Sequence, residues 1–241
     1  MSGHSKWSKI KRAKGANDAK KGKVFTRCIH EITVAVREGG GGDPDANARL
    51  RIAIDKARGA NMPGDNIERA IKRATGEIKG AEQVEISYEG YGPGGAAVYV
   101  EALTDNKNRT AGEVRHAFSK CGGSLGTSGC VAWMFKKKGV IVLERSAGSE
   151  EQVMDLALEA GGDDVSDEGD CWEITCEPTR FHEVRSALEG KVKITDAEIQ
   201  MIPDTEQALS GKEGEQMLRL MDMLDDLDDV LNVFTNADVA E

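Results

Sequence analysis

Four groupings of residues in this chain have types and spacings that could do chemistry. The densest is a basic run in which Lys6, Lys9, Lys11, Arg12, Lys14, Lys20, Lys21, Lys23 and Arg27 stand against a single acid, Asp18, with Trp7 interleaved. Cations at that density suit a polyanion, because each phosphate they neutralise releases a condensed counterion, and an aromatic among them can stack on a base. Charge alone also fits a solvated terminus that binds nothing. The second grouping, Gly90-Tyr91-Gly92-Pro93-Gly94-Gly95, matches G-x-G-x-x-G. A dinucleotide site needs a helix N-terminus directly after the glycines, whereas Ala96 to Val100 reads as a strand, so a glycine-rich hairpin connection is expected. The third is His116 with Cys121 and Cys130. Five residues along a helix do not bring two side chains to one face, so core cysteines and a surface histidine are expected. Outside these four, Asp222, Asp225, Asp226, Asp228 and Asp229 lack the loop spacing of a calcium site and read as a solvated helix face. The fourth is the polar loop Asp105-Asn106-Lys107-Asn108-Arg109, which either caps the following helix or hydrogen-bonds phosphate and base edges. No convergent nucleophile and base, metal cluster or cofactor motif is found, so no enzymatic activity, cofactor or small-molecule substrate is expected.

The charge is divided along the chain. Of its 241 residues, 1–80 carry 18 Lys and Arg against 9 Asp and Glu, and the remainder carries 14 against 33. An acidic body repels nucleic acid except where the basic segment leads, which orients the encounter. No apolar run approaches the roughly 18 to 20 residues that span a bilayer, and no apolar signal core follows the N-terminal cations. A soluble cytoplasmic protein with no membrane partner is expected. The five cysteines are odd in number and form no C-x-x-C pair, which points to reduced thiols.

Periodicity supplies the elements that must position these groups. Phe25, Ile29, Ile32 and Val36 recur at helical spacing over 17–38 until Gly39 to Gly42 stop the pattern. A second helix is expected after Asp43-Pro44, with Asp43 as its cap, and a third after Asn61-Met62-Pro63-Gly64, with Asp65 and Glu68 at capping-box spacing. The helices also carry Arg49, Arg51, Lys56, Arg58, Arg69, Lys72 and Arg73. From residue 84 the period changes to 2, with strands at 84–88 and 96–103, a helix bearing Val114, Ala117, Phe118 and Cys121, and a further strand over Cys130 to Phe135 before a basic link at Lys136 to Lys138. Residues 139–203 then read βαββαβ, the split order of ferredoxin-like domains. Trp172 and Ile174 on its central strand look like core, with Glu173 opposite. A last helix turns Met217, Leu220, Met221, Leu224, Leu227 and Leu231 inward, and Val233 to Thr235 is expected to pair back into the sheet of residues 81–135. The fold class is therefore α+β and multidomain: a basic helical domain over 1–80, a discontinuous middle α/β domain over 81–137 plus 204–241, and a ferredoxin-like domain over 138–203 inserted in it.

Four motifs in order resemble the YebC/PmpR family, which includes the mitochondrial translational activator of cytochrome c oxidase subunit I. They are Gly3-His4-Ser5-Lys6-Trp7 with Ile10-Lys11, Asn61-Met62-Pro63 with Asp65-Asn66-Ile67, Tyr88-Glu89 with Gly90 to Gly95, and Leu103-Thr104-Asp105-Asn106 with Asn108-Arg109-Thr110. The likeness runs from Gly3 to the end of the chain. Gly64 stands where the family usually has lysine and Cys130 where serine is common, which weakens a phosphate contact at 64 and a hydroxyl-dependent role at 130. The resemblance implies three domains and a cytoplasmic, DNA-binding transcriptional regulator, or alternatively a ribosome-associated translation factor that relieves stalling on rRNA or tRNA. On either reading Asn61, Asn66, Arg69, Asn106 and Arg109 join the basic run as candidate contacts.

Overall fold

The computed structural model of the chain describes residues 21–78 and 84–239, and among them seven α-helices and ten β-strands make a mixed α+β fold. Helix α1 (Lys21–Glu38) turns Cys28, Ile32, Ala35 and Val36 inward. The expected stretch from Asn17 to Lys20 lies outside the described residues. Gly40 and Gly41, at φ +99° and +109°, then reverse the chain in the left-handed region that favours glycine. Helix α2 (Ala48–Gly59) is capped by Asn47 and not by Asp43. Asn47 Oδ1 accepts the Leu50 N–H at 3.0 Å, while its Nδ2 donates to the Ala35 and Gly41 carbonyls. Asp43 instead takes the Asp45 N–H in the turn before. One buried amide therefore fastens α1, the glycine loop and α2 together, which an aspartate with no donor could not do. Helix α3 (Gly64–Ala74) follows Pro63 with no side-chain cap, so the expected Asp65–Glu68 capping box is not formed. Asp65 lies in the first turn, where the helix dipole favours an acid. Leu50, Ala53, Ile54, Ala57, Ile67 and Ala70 complete the bundle core.

Strands β1 (Val84–Tyr91) and β2 (Ala97–Thr104) form an antiparallel hairpin through a short 3₁₀ turn at Pro93–Gly95. The glycine run is thus a hairpin connection, as its context implies. A Cβ at Gly90 would stand 2.5 Å from the Ser124 carbonyl, so glycine is what lets β3 (Ser124–Leu125) pair with β1 there. Helix α4 (Lys107–Lys120) lies between β2 and β3. The apolar residues Tyr88, Val98, Val100 and Ala102 of the sheet meet Val114, Ala117 and Phe118 of α4 in one core.

The chain leaves this sheet and makes a second one from β4 (Phe135–Glu144), α5 (Glu150–Ala160), β5 (Asp164–Asp167), β6 (Cys171–Cys176), α6 (Phe181–Leu188) and β7 (Ile194–Pro203). The strand order is β5-β6-β4-β7, antiparallel throughout. Trp172, Ile174, Ile141 and Leu143 pack against Val153, Ala157, Phe181, Val184 and Leu188 of the two helices. Trp172 is core, as expected, whereas Glu173 is also buried. Because β4 and β7 are neighbours, with Phe135 opposite Pro203, the chain enters and leaves this sheet at adjacent points.

The remaining residues return to the first sheet. Strand β8 (Gln207–Leu209) precedes α7 (Gly211–Asp225), and β9 (Val230–Thr235) pairs antiparallel with β2, giving the order β3-β1-β2-β9. Strand β10 (Ala237–Val239) pairs parallel with β8, a pairing that the sequence pattern did not suggest. Met217, Leu220, Met221 and Leu224 of α7 enter the first core, but the helix ends at Asp225, so Leu231 belongs to β9 and not to its inner stripe. No helix among the described residues is long and apolar enough to cross a membrane.

The segment joining the two sheets differs from its expected form. Residues Cys130 to Phe135 are not a strand: Ala132–Met134 form a 3₁₀ turn, and Lys136 to Lys138 lie inside β4 and not in a link. Glu89, 4% exposed, fixes this turn by accepting the N–H groups of Gly129, Val131 and Ala132 at 2.7–2.8 Å. Burial alone would push its carboxyl up, but the three backbone donors outweigh that and hold it below the ordinary carboxylate value. Because the folded value is depressed, Glu89 contributes stability above the pKa of the unfolded chain and loses it as pH falls through the folded value. Glu89→Gln, which points an amide donor at N–H groups, is expected to destabilise by roughly 2–4 kcal/mol at neutral pH. Urea titrations at neutral and acid pH should show the gap between the two proteins narrowing as the solution is acidified.

Candidate nucleic-acid interface

The candidate residues fall into three groups in space. Lys6, Trp7, Lys9, Lys11, Arg12, Lys14 and Lys20 lie outside the described residues. Lys21 and Lys23 are in the first turn of α1, and their side chains also lie outside the described part. Arg27, two turns into α1, faces inward to the first sheet. Its Nη2 donates to the Leu231 carbonyl at 2.7 Å and to Asn232 Oδ1 at 3.2 Å. Beside it His30 Nε2 lies 3.0 Å from Glu85 Oε1. Arg27 thus attaches the bundle to β9 and is half-buried in doing so.

Asn61, Asn66 and Arg69 form the second group, at the α2–α3 turn and along α3. Asn61 has φ +59°, the left-handed conformation that asparagine tolerates better than most residues, and its N–H donates to the Arg58 carbonyl. Met62 is buried and Pro63 stands at the helix cap position, so the Asn-Met-Pro motif is accounted for by the turn itself. Arg69 is exposed. Of the cations on α2 and α3, Arg49 pairs with Glu38, Lys56 with Glu31, Arg58 with Asp55 and Lys72 with Glu68. Arg51, Arg69 and Arg73 are exposed and make no ion pair with the described residues. Positions 69 and 73 are one helical turn apart, so two of these three charges share a face.

Asn106 and Arg109 form the third group, at the start of α4. Asn106 Oδ1 accepts the Arg109 N–H, so Asn106 is the N-cap, the first of the two roles open to this loop. Arg109 Nη2 reaches Asp229 Oδ2 at 2.7 Å and Asp105 Oδ1 at 3.1 Å. Asp229 is therefore not part of a solvated face. Its Oδ2 also accepts from the hydroxyls of Thr110 at 2.6 Å and Thr104 at 3.1 Å. Burial would push its carboxyl up, but Thr110, Arg109 and Thr104 together hold it below the ordinary range. The motif Thr104 to Thr110 thus closes the end of β2, the first turn of α4 and the start of β9 around one carboxylate. No hydrogen bond or ion pair among the described residues joins this group to the Asn61–Arg69 group.

His116 is exposed, while Cys121 is buried with its Sγ 3.7 Å from Met223 Sδ, and burial pushes its thiol up. No group of three or more His, Cys, Asp or Glu among the described residues is placed to hold a metal ion. The residue that sequence reasoning missed is Trp133. Assigned to a strand, it instead stands on the 3₁₀ turn with 73% of its surface exposed. The signal was available in the turn-forming Gly126-Thr127-Ser128-Gly129 directly before it.

Comparison with known proteins bears on what this arrangement serves. The model for the TACO1/YebC protein N-terminal domain matches residues 5–77, and that for the TACO1/YebC second and third domain matches residues 83–237. The chain belongs to the TACO1/YebC family. Relatives named probable transcriptional regulatory proteins include one from Desulforapulum autotrophicum, 57% identical over 242 residues, covering 100% of this chain and 98% of that protein. Another, from Geobacter sulfurreducens, is 57% identical over 241 residues, covering 100% of this chain and 97% of that one. The crystal structure of a conserved hypothetical protein from Aquifex aeolicus is similar with a TM-score of 0.78 at 44% identity, over 93% of each chain. In this TACO1/YebC chain the Thr104–Thr110 motif is built into the fold through Asp229. Asp229→Ala, which leaves the Thr104 and Thr110 hydroxyls without their acceptor, is expected to lower stability by roughly 2–4 kcal/mol in chemical denaturation. An unmoved midpoint would show that the network holds nothing together.

Proposed function

We propose that this TACO1/YebC chain is a non-enzymatic, cytoplasmic, nucleic-acid-binding regulator of gene expression, in the first instance a regulator of transcription, as its relatives are named, that acts by binding DNA. The observation that carries the reading is the charge separation. Cations crowd the first 27 residues, Arg51, Arg69 and Arg73 stand unpaired on the helical bundle, and the acidic excess lies in the residues after 80. Such a dipolar molecule approaches a polyanion bundle first. On this reading residues 1–80 form the binding domain, and 81–137 with 204–241, together with the inserted ferredoxin-like 138–203, form the body that meets other partners.

One observation favours the second reading, a translation factor on structured RNA. The bundle's unpaired arginines are spread over two helices and Arg27 is used internally, which suits dispersed phosphate contacts better than one recognition helix with base-reading side chains. Co-sedimentation with purified ribosomes at about 150 mM salt, with excess competitor duplex DNA, separates the two readings. Stripping by the DNA supports the transcriptional reading, and retention supports the translational one. Removing residues 1–20, which leaves the described Lys21–Glu38 helix intact, is expected to abolish binding to either. If about six to ten phosphates are contacted, affinity of the full chain falls roughly 10³ to 10⁵ fold between about 50 and 200 mM salt. Unchanged binding after the truncation would sink both readings.

A further inference from the structure

Trp133 is far more exposed than a tryptophan needs to be. Trp172 is 1% exposed inside the second core, whereas Trp133 is 73% exposed on the turn that joins the two sheets. Large aromatics are ordinarily well covered, because each carries 150–250 Å² of largely apolar surface on the order-of-magnitude scale for such side chains. The ring is nevertheless tethered: its Nε1–H donates to the Cys130 carbonyl at 3.1 Å. A second exposed aromatic meets the same oxygen, since the Tyr91 hydroxyl also donates to Cys130 O at 3.1 Å and 38% of Tyr91 is exposed. Two rings thus splay from one carbonyl. The turn carrying that carbonyl is held by the three N–H bonds to Glu89 and by the buried Val131.

The polar tips decide what such a pair can bind. Tyrosine and tryptophan at protein–protein contacts offer a ring together with a hydroxyl or N–H for the partner. Here both donors already serve Cys130, so what remains outward is ring surface. A nucleobase needs no more than that, because every base has a π-face, and stacking depends on a ring fixed in place and a nearby cation for the backbone. Lys136 is committed to Asp204 at 2.7 Å, but Lys137 is exposed and makes no ion pair with the described residues.

We propose that Trp133 and Tyr91, with the exposed Lys137 four residues along the chain from Trp133, form a stacking platform for an unpaired base of a single-stranded nucleic acid. The proposal rests on the nucleic-acid reading and adds to it a second contact, on the body of the protein and distant in sequence from the basic N-terminal segment.

Fluorescence anisotropy with labelled single-stranded RNA and DNA of about 16 nucleotides, and with the corresponding duplexes, tests it on the full chain. Trp133→Ala is expected to weaken single-strand binding by roughly five- to a hundredfold, while Trp133→Phe retains most of the affinity. The slope of log affinity against log salt stays unchanged in Trp133→Ala, since stacking releases no counterion, whereas Lys137→Ala reduces it by about one. A larger loss on RNA or on DNA identifies which strand the platform takes. Wild-type affinity in Trp133→Ala, or an equal loss on the duplexes, overturns the proposal. Failure of the unaltered chain to bind any of the probes sinks the functional reading itself, and the platform with it. Because the side chain is exposed, the thermal midpoint of Trp133→Ala should match that of the parent, so a shift in binding reports the contact.

Discussion

A single buried carboxylate determines how the two sheets are joined. Glu89 leaves β1 on the face away from the α4 core and takes three consecutive-region N–H groups, those of Gly129, Val131 and Ala132. Those donors belong to a turn with no sheet to satisfy them, and an unpaired buried N–H would cost about as much as the hydrogen bond it lacks. The carboxylate meets that need in full, so the turn has one conformation and β4 has one point of departure. The placement of the second sheet, and of everything carried on it, follows from that. Glu89 also explains why an acidic chain tolerates a charge where the solvent is excluded: its charge is shared among three peptide dipoles pointed at it.

Asp229 does comparable work at the opposite end of the first sheet, and Arg27 completes the set by binding the bundle to β9. These three ionised side chains act through partners distant along the chain. Much of what looks like a recognition surface in the family motifs is therefore spoken for within the protein. Asn61 supplies a left-handed turn, Asn106 a helix cap and Arg109 a counter-charge. Cations that no acid among the described residues reaches include Arg51, Arg69 and Arg73 on the helical bundle and Lys137 on β4.

The sequence was most readable where structure is local. Helical stripes ending at glycines gave the bundle, and the switch to period two gave β1, β2 and the order β4 to β7. The return of Val233 to Thr235 to β2 was legible as well, because an apolar strand needs a neighbour. Caps were misassigned at Asn47 and Pro63, since several capping residues stand close together there and only the three-dimensional fit selects one. Ala132-Trp133-Met134 looked like a strand because a short apolar run does not carry its own period. Lys136 to Lys138 looked like a link because a strand with one wet face tolerates lysine. Strands β8 and β10, three residues each, are below what pattern can register. Glu89 and Asp229 had no local signal at all, since their partners lie about 40 and 120 residues away.

The closing of the first sheet by β9 and β10 carries a consequence for how the protein comes into being. During synthesis the bundle and the second sheet are each complete in sequence before β9 emerges, and their contacts are comparatively local. The first sheet must wait. Its β2 edge stays open until β9, Val230–Thr235, has left the ribosome to pair with it. An unpaired apolar strand edge is a template for association with other chains. The nascent molecule is therefore most vulnerable after β2 is made and before β9 is, and a ribosome pausing in that interval would hold it in its least protected form.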